Sequence, residues 1–255
     1  MFDGNPEPFS NQDALQRLVA IMARLRDPMR GCEWDSVQTF ATIAPYTIEE
    51  AYEVADAIAR DDIQALRDEL GDLALQVVFH ARIAEEAGLF DLSDVLAGIA
   101  DKLERRHPHI FGDAAAGGHH LWETIKAEER KAHADQSALA GVAMALPALE
   151  RAAKLQKRAA RTGFDWPDIE GPKAKIHEEL DEIATAPPDM VEEEVGDLLF
   201  AVVNFARHLK IDPEEALRKA NRKFETRFRV IEQAPGFSAM TLDEMEALWV
   251  EAKRG

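Results

Sequence analysis

The chain has 255 residues, 46% of them hydrophobic, which is enough for one large domain or two of ordinary size with buried cores. Its 48 acidic residues against 30 basic ones leave a formal net charge of -18. This charge argues against a protein that binds nucleic acid or an anionic membrane by general attraction, and an acidic chain that binds a polyanion needs divalent cations or a local cluster of Lys and Arg.

Residues 1–12 are predicted to be an N-terminal extension without a secretory signal, because no basic stretch precedes an apolar run. No apolar run of roughly 18 residues occurs anywhere, so no membrane partner is expected. Cys32 is the single cysteine, which excludes an intramolecular disulfide and a zinc site built from thiolates. We therefore expect a cytoplasmic protein without redox chemistry.

Residues 13–113 are predicted to form a first helical unit. Apolar residues recur at the three- and four-residue spacing of helices, and no alternating strand pattern with hairpin turns is found. The unit contains these motifs in order: Gly31-Cys-Glu-Trp34, Glu49-Glu50-Ala-Tyr-Glu53, Glu69-Leu-Gly-Asp72, Phe79-His-Ala-Arg82 and Lys102-Leu-Glu-Arg-Arg106.

Residues 114–146 are predicted to link this unit to the rest of the chain. Glycine and alanine are frequent over residues 112–120, and residues 133–147 form a second weak point for helix formation. Between them, Leu121 to Lys131 has a helical pattern and is expected to bridge the two halves.

Residues 147–255 repeat the first unit, and a repeat shows which positions matter within a single chain. The corresponding motifs are Gly163-Phe-Asp-Trp166, Glu178-Glu179-Leu-Asp-Glu182, Glu194-Val-Gly-Asp197, Asn204-Phe-Ala-Arg207 and Lys223-Phe-Glu-Thr-Arg227. The fold predicted is therefore all-α, with two tandem helical units.

The clearest helix is predicted from about Glu192 to Leu209. Its apolar residues form one stripe that is expected to face a core. They are Val195, Leu198, Leu199, Val202, Val203, Ala206 and Leu209. Asp197, Asn204 and His208 fall on a different stripe.

The acidic motifs predict a metal site. Successive helix residues are about 100° apart, so Glu178, Glu179 and Glu182 share one face of a helix. Glu194 and Asp197 share a face of the next helix, and packing the two helices together brings at least four carboxylates close. Like charges at that distance repel unless they are protonated or bridged by a cation, and hard cations such as Mg²⁺ prefer oxygen ligands. The alternative is a repeated, salt-bridged surface, since glutamates on helices are usually solvated.

The compound pattern resembles the MazG family, whose signature is EExxE followed by ExxD. The resemblance extends from about Ala14 to Arg254 and includes TFATIAPYTIEEAYEV, DKLERRHPHIF, GFDW and KANRKFETRFR. It implies an all-α fold of four-helix units, a homodimer, Mg²⁺ as cofactor, and hydrolysis of nucleoside triphosphates (NTPs and dNTPs) to monophosphate and pyrophosphate.

The resemblance also implies the roles of individual residues. The metal ligands and catalytic acids of the second unit would be Glu178, Glu179, Glu182, Glu194 and Asp197, with Glu193 beside them. Lys175, Lys223 and Arg227 are expected to bind phosphates, although each could be ordinary surface charge. Trp249 is expected to stack on the base or to pack in a core. The first unit retains a possible second metal site: Glu49, Glu50, Glu53, Glu69 and Asp72.

Two substitutions distinguish the units. Tyr46 stands where Lys175 stands in the second unit, which removes a phosphate partner and favours the second unit as the catalytic one. In that unit, Met190 stands where relatives often have a lysine. The remaining alternative is a helical, metal-stabilised regulatory or interaction protein without turnover.

Overall fold

The computed structural model describes residues 11–112, 135 and 137–253. These residues form helices and no strands, which confirms the predicted all-α fold. The chain divides into two compact units, Met1–Ala127 (unit 1) and Glu128–Gly255 (unit 2). The predicted bridging helix over Leu121–Lys131 lies outside the described residues.

Unit 1 is built from helices that pack on α4 and share one apolar core. Its described helices are α1 Asn11–Leu25, α2 Glu33–Ser36, α3 Phe40–Ala59, α4 Ile63–Glu86, α5 Leu92–Arg106 and α6 Pro108–Phe111. Helices α1, α3 and α5 each pack against α4. The core that results contains Met22, Ile43, Val78, Phe79 and Ile83.

Unit 2 repeats this arrangement around its own long helices. Its described helices are α7 Ala148–Ala160, α8 Glu170–Thr185, α9 Val191–His208, α10 Pro213–Ile231 and α11 Leu242–Ala252, with a 3₁₀ turn at Phe237–Ala239. Helix α9 packs against α7 and α8, and α10 packs against α7 and α11. Both EExxE motifs therefore lie on a helix (α3 or α8) that packs against the helix with the ExxD motif (α4 or α9).

Helix α9 corresponds to the helix predicted over Glu192–Leu209, but only part of the predicted apolar stripe is buried. Val203 is buried with Ala201 and Asn204. The exposed residues of the apolar stripe include Val195, Leu199 and Val202. The expectation that the whole stripe faces a core is therefore wrong, because packing against α7 and α8 turns the side with Asn204 inward.

No helix in the described part of the chain has the length and apolarity needed to cross a lipid bilayer.

Candidate functional site

An acidic cluster lies where α8 and α9 face each other in unit 2. Glu179, Glu182 and Glu194 each offer a carboxylate oxygen, and these oxygens lie within 4.8 Å of one another. Glu179 is only 2% exposed, and its Oε2 is buried without a hydrogen-bond partner. A buried carboxylate oxygen is destabilising unless a donor or a cation contacts it. This donor set therefore fits a hard divalent cation.

Lys175 contacts the same acids from one turn earlier on α8. Its Nζ lies 2.7 Å from Glu178 Oε1, 2.7 Å from Glu179 Oε1 and 3.9 Å from Glu182 Oε2. The hydrogen bonds that it donates to Glu178 and Glu179 raise the pKa of Lys175 above its usual value. The ammonium group therefore stays charged and offsets part of the negative charge of the cluster.

The remaining predicted ligands lie at the edge of this cluster. Glu178 is paired with Lys175, and Asp197 lies one turn beyond Glu194 on α9. Loss of hydration raises the pKa of Glu182, as does the negative charge of Glu179, while Lys175 opposes both effects. The structure thus brings three of the five predicted acids close together, whereas Glu178 contacts Lys175 and Asp197 lines the same cavity as Glu179.

A cavity of about 730 Å³ opens beside the acids, between α7, α8 and α9. Lys175, Glu179 and Asp197 form one part of its wall. Much of the rest is apolar or aromatic and includes Leu155, Ala159, Phe164, Trp166 and Phe200. Pockets for small-molecule ligands are of this size and character, roughly 300–1,000 Å³.

Two motifs that the sequence analysis noted without assigning a role meet at this cavity. Arg207 donates a hydrogen bond from Nη1 to Asp165 Oδ2 at 2.9 Å, and from Nε to Asn204 Oδ1 at 3.0 Å. The bond from Arg207 lowers the pKa of Asp165. The ion pair between Arg207 and Asp165 links the loop before α8 to α9. The sequence pointed to both residues, because Asp165 lies in the repeated Gly-x-x-Trp pattern and Arg207 in the repeated Ala-Arg pattern.

The predicted residues of α10 and α11 form a separate group. The guanidinium carbon of Arg227 lies 6.0 Å from the ring centroid of Trp249, and the Phe224 ring lies 5.2 Å from the same centroid. Within the described part of unit 2, Lys223, Arg227 and Trp249 do not line the cavity. Their contacts to phosphate and base therefore stay predictions.

Unit 1 contains a corresponding cluster without the lysine. Glu50, Glu69 and Asp72 offer carboxylate oxygens within 4.8 Å of one another. Loss of hydration raises the pKa of Glu50 and of Glu69, and the neighbouring charges of Asp72 and Glu53 raise both further. Glu49 adds to the effect on Glu50. The Tyr46 ring, at the position of Lys175, contacts Trp34 edge-on at 5.9 Å.

Comparison with known proteins gives one consistent result. The model of the MazG nucleotide pyrophosphohydrolase domain matches residues 38–111 and 174–230, one segment in each unit. The chain is 52% identical to the nucleoside triphosphate pyrophosphohydrolase of Escherichia coli strain K12, over 94% of this chain and 97% of that protein. It is 46% identical to the nucleoside triphosphate pyrophosphohydrolase/pyrophosphatase MazG of Thermotoga maritima, over 94% and 96% of the two chains. The chain therefore belongs to the MazG nucleotide pyrophosphohydrolase family.

Proposed function

We propose that this chain hydrolyses nucleoside triphosphates, both NTPs and dNTPs, between the α and β phosphates, and that the reaction depends on Mg²⁺. The observation that supports this most directly is the cluster of Glu179, Glu182 and Glu194, with an unpartnered buried oxygen beside an open cavity. The names of the relatives from Escherichia coli and Thermotoga maritima describe the same class of reaction.

The acids of unit 2 are proposed to hold the metal. Glu179, Glu182 and Glu194 would be its main ligands, with Glu178 and Asp197 beside them. A bound Mg²⁺ would supply positive charge that offsets the negative charge of the phosphates and of the departing pyrophosphate. One of these carboxylates would accept the proton of the attacking water.

Basic side chains are proposed to orient the triphosphate. Lys175 lies in the cavity wall beside Glu179, so its ammonium can donate to a phosphate oxygen that enters there. Lys223 and Arg227 on α10 are proposed as further phosphate contacts, with Trp249 as a contact to the substrate's base. Their separation from the cavity makes this the less supported part of the proposal.

We propose that the repeat over residues 147–255 carries the activity, whereas residues 13–113 stabilise or regulate it and residues 114–146 link the two. Lys175 supports this division, because unit 1 has Tyr46 at the corresponding position. The acids of unit 1 would bind a second metal ion without positioning a triphosphate.

A homodimer in the cytoplasm is the state that we propose for the protein. The exposed stripe of Val195, Leu199 and Val202 on α9 is an apolar surface that a second copy could cover. Light scattering coupled to gel filtration would give twice the chain mass of 28.4 kDa. A mass of one chain at micromolar concentration would contradict this proposal.

The reaction is tested by incubating the purified protein with a panel of NTPs and dNTPs in ¹⁸O-labelled water, with Mg²⁺ or with EDTA. We expect monophosphate and pyrophosphate, with the label in the monophosphate, because water attacks the α phosphorus. Diphosphate with inorganic phosphate would mean that another bond is cut. Absence of turnover with every substrate would favour the regulatory or interaction protein instead.

A further inference from the structure

One ion pair links the last turn of α9 to the loop that precedes α8. Arg207 donates from Nη1 to Asp165 Oδ2 at 2.9 Å and from Nη2 to Asp165 Oδ1, so two hydrogen bonds join the planar groups. His208 Nε2 lies 3.1 Å from the same Oδ1. Only 19% of the Arg207 side chain and 26% of the Asp165 side chain are exposed. A largely shielded pair with two hydrogen bonds holds its partners in one geometry, unlike a single exposed salt bridge.

The residue after Asp165 extends this link to α8. The backbone N–H of Trp166 donates to Asp165 Oδ1 at 3.0 Å. The indole of Trp166 packs against the backbone at Gly171, in the first turn of α8, where an added Cβ atom would lie 2.1 Å from Trp166 Cδ1. Only glycine leaves room for a ring this close to the helix. Since Gly171 and Lys175 are four residues apart, the indole contacts the face of α8 that carries Lys175.

Helices α8 and α9 form a helical hairpin that is joined at both ends. Residues 186–190 connect the end of α8 to the start of α9, and the two helices pack against each other. At the other end, the Asp165–Arg207 ion pair and the Trp166–Gly171 contact connect the start of α8 to the end of α9. The acidic cluster of unit 2 lies between these two connections. Because both helices supply its carboxylates, the distances within the cluster depend on how one helix is placed along the other.

Unit 1 has the same types of residue but uses them differently. The repeat aligns Glu33 with Asp165 and Arg82 with Arg207. In the described part of unit 1, Arg82 instead pairs with two glutamates of its own helix, at 3.0 and 2.9 Å. The same helical scaffold therefore forms without this link between the loop and the hairpin. The link is present in the unit that also has Lys175, which indicates a role in the site rather than in the fold.

From these observations we propose that Asp165 and Arg207 are positioning residues for the hydrolysis. Their ion pair holds α8 and α9 in the register at which Glu179, on the first helix, and Glu194, on the second, reach one divalent cation. The pair acts at a distance, because Arg207 lies about 20 Å beyond Glu194 along α9. A displacement of about 1 Å at reacting groups can lower a rate by about 100-fold, so the placement of whole helices matters. The inference rests on the proposed function and adds two residues to it.

Binding of Mn²⁺, measured by electron paramagnetic resonance, tests the inference without turnover. All proteins carry Glu50→Gln, so that the acids of unit 1 contribute less to the binding. Arg207→Lys keeps the charge but removes the pair of hydrogen bonds, and Asp165→Asn keeps the size of the side chain but removes its charge. In both variants we expect the Kd for Mn²⁺ to rise about tenfold or more. The Mg²⁺ concentration that gives half-maximal NTP hydrolysis should rise by a similar factor.

Three further variants separate positioning from general damage. Arg82→Lys is the matched control, because Arg82 has the same place in the repeat, and it should change the Kd less than about twofold. The double variant Asp165→Asn/Arg207→Lys should bind Mn²⁺ about as well as either single variant, since one broken pair accounts for both effects. Gly171→Ala displaces the Trp166 ring and should raise the Kd in the same way. Gly98→Ala should not, because an added Cβ there meets nothing within 4 Å.

An unchanged Kd in both Arg207→Lys and Asp165→Asn, or an equal rise in Arg82→Lys, would overturn the inference while hydrolysis by the wild type stands. Effects that add in full in the double variant would also overturn it, as would a lower thermal stability in EDTA with an unchanged Kd. If Asp165→Asn does not fold, as judged by circular dichroism, Arg207→Lys decides alone. A protein that binds Mn²⁺ in a manner dependent on the ion pair but hydrolyses no NTP would contradict only the proposed function.

Discussion

The acidic clusters of the two units have the same motifs but different counter-charges. In unit 2, the ammonium of Lys175 lies 2.7 Å from Glu179 and also contacts Glu178. In unit 1, Tyr46 stands at that position, and the pKa values of Glu50 and Glu69 are raised by lost hydration and neighbouring acids. The repeated motifs therefore specify a group of carboxylates in each unit. The residue one helical turn before them, Lys175 or Tyr46, decides whether that group has a cation beside it.

The two units also use arginine differently. In unit 1, the buried side chain of Arg26 binds Glu86 at 2.7 Å and the carbonyl oxygen of Asp35 at 2.6 Å, so the end of α1 is fastened to α4. Burial alone would raise the pKa of Glu86, but the hydrogen bonds from Arg26 and Arg82 lower it below its usual value. In unit 2, Arg207, which the repeat aligns with Arg82, pairs instead with Asp165 at the border of the cavity. Unit 1 therefore uses these two arginines to hold its own helices together, whereas unit 2 has the repeated arginine beside a ligand-sized space.

The largest expected effect is the loss of pyrophosphate release when a central glutamate of unit 2, but not of unit 1, is replaced. Glu179→Gln should lower Mg²⁺-dependent pyrophosphate release by roughly 100-fold or more, because the variant loses a charged ligand at the centre of the cluster. The matched change Glu50→Gln in unit 1 should change it less than about threefold. A pyrophosphate release assay on both purified variants makes the comparison. Loss of activity in Glu50→Gln instead would move the working site to unit 1.

A smaller effect is expected from exchanging the residues that distinguish the clusters. Lys175→Tyr should reduce kcat/KM for NTPs by about tenfold to 100-fold, since it removes a cation beside the phosphate site. Tyr46→Lys should raise the unfolding free energy of the metal-free protein by up to about 1 kcal/mol, the upper range for exposed ion pairs. Thermal unfolding in EDTA measures the second change. A Tyr46→Lys variant that is less stable than the wild type in EDTA would contradict the expectation that an added ammonium group relieves repulsion among the carboxylates of unit 1.

The smallest effect concerns pH. A carboxyl whose pKa is raised on folding contributes stability at low pH and loses that contribution as the pH rises through its folded-state pKa. In EDTA, the wild type should therefore lose stability relative to Glu50→Gln as the pH rises from about 4, the ordinary pKa of glutamate, toward neutrality. Urea unfolding of both proteins across this range measures the difference. Saturating Mg²⁺ should reverse it, and a difference independent of pH would contradict the raised pKa values.

Helix periodicity explains why part of the site could be predicted. Glu179 and Glu182 share a face because they lie three residues apart on one helix, and this depends only on local geometry. Their closeness to Glu194 followed from repeated motifs on neighbouring helices. The burial of Asn204 could not be predicted, because the face of α9 that turns inward depends on α7 and α8 rather than on the helix itself.

The sequence by itself determined the helical class, the duplicated unit, the family and the acids that lie together in each unit. All of these depend on short-range spacing and on repetition, which can be read directly from the chain. Only the tertiary structure decided that Gln156 meets Phe200, 44 residues away, and that Arg207 meets Asp165, 42 residues away. Contacts over such separations depend on how whole helices pack, which no local period specifies.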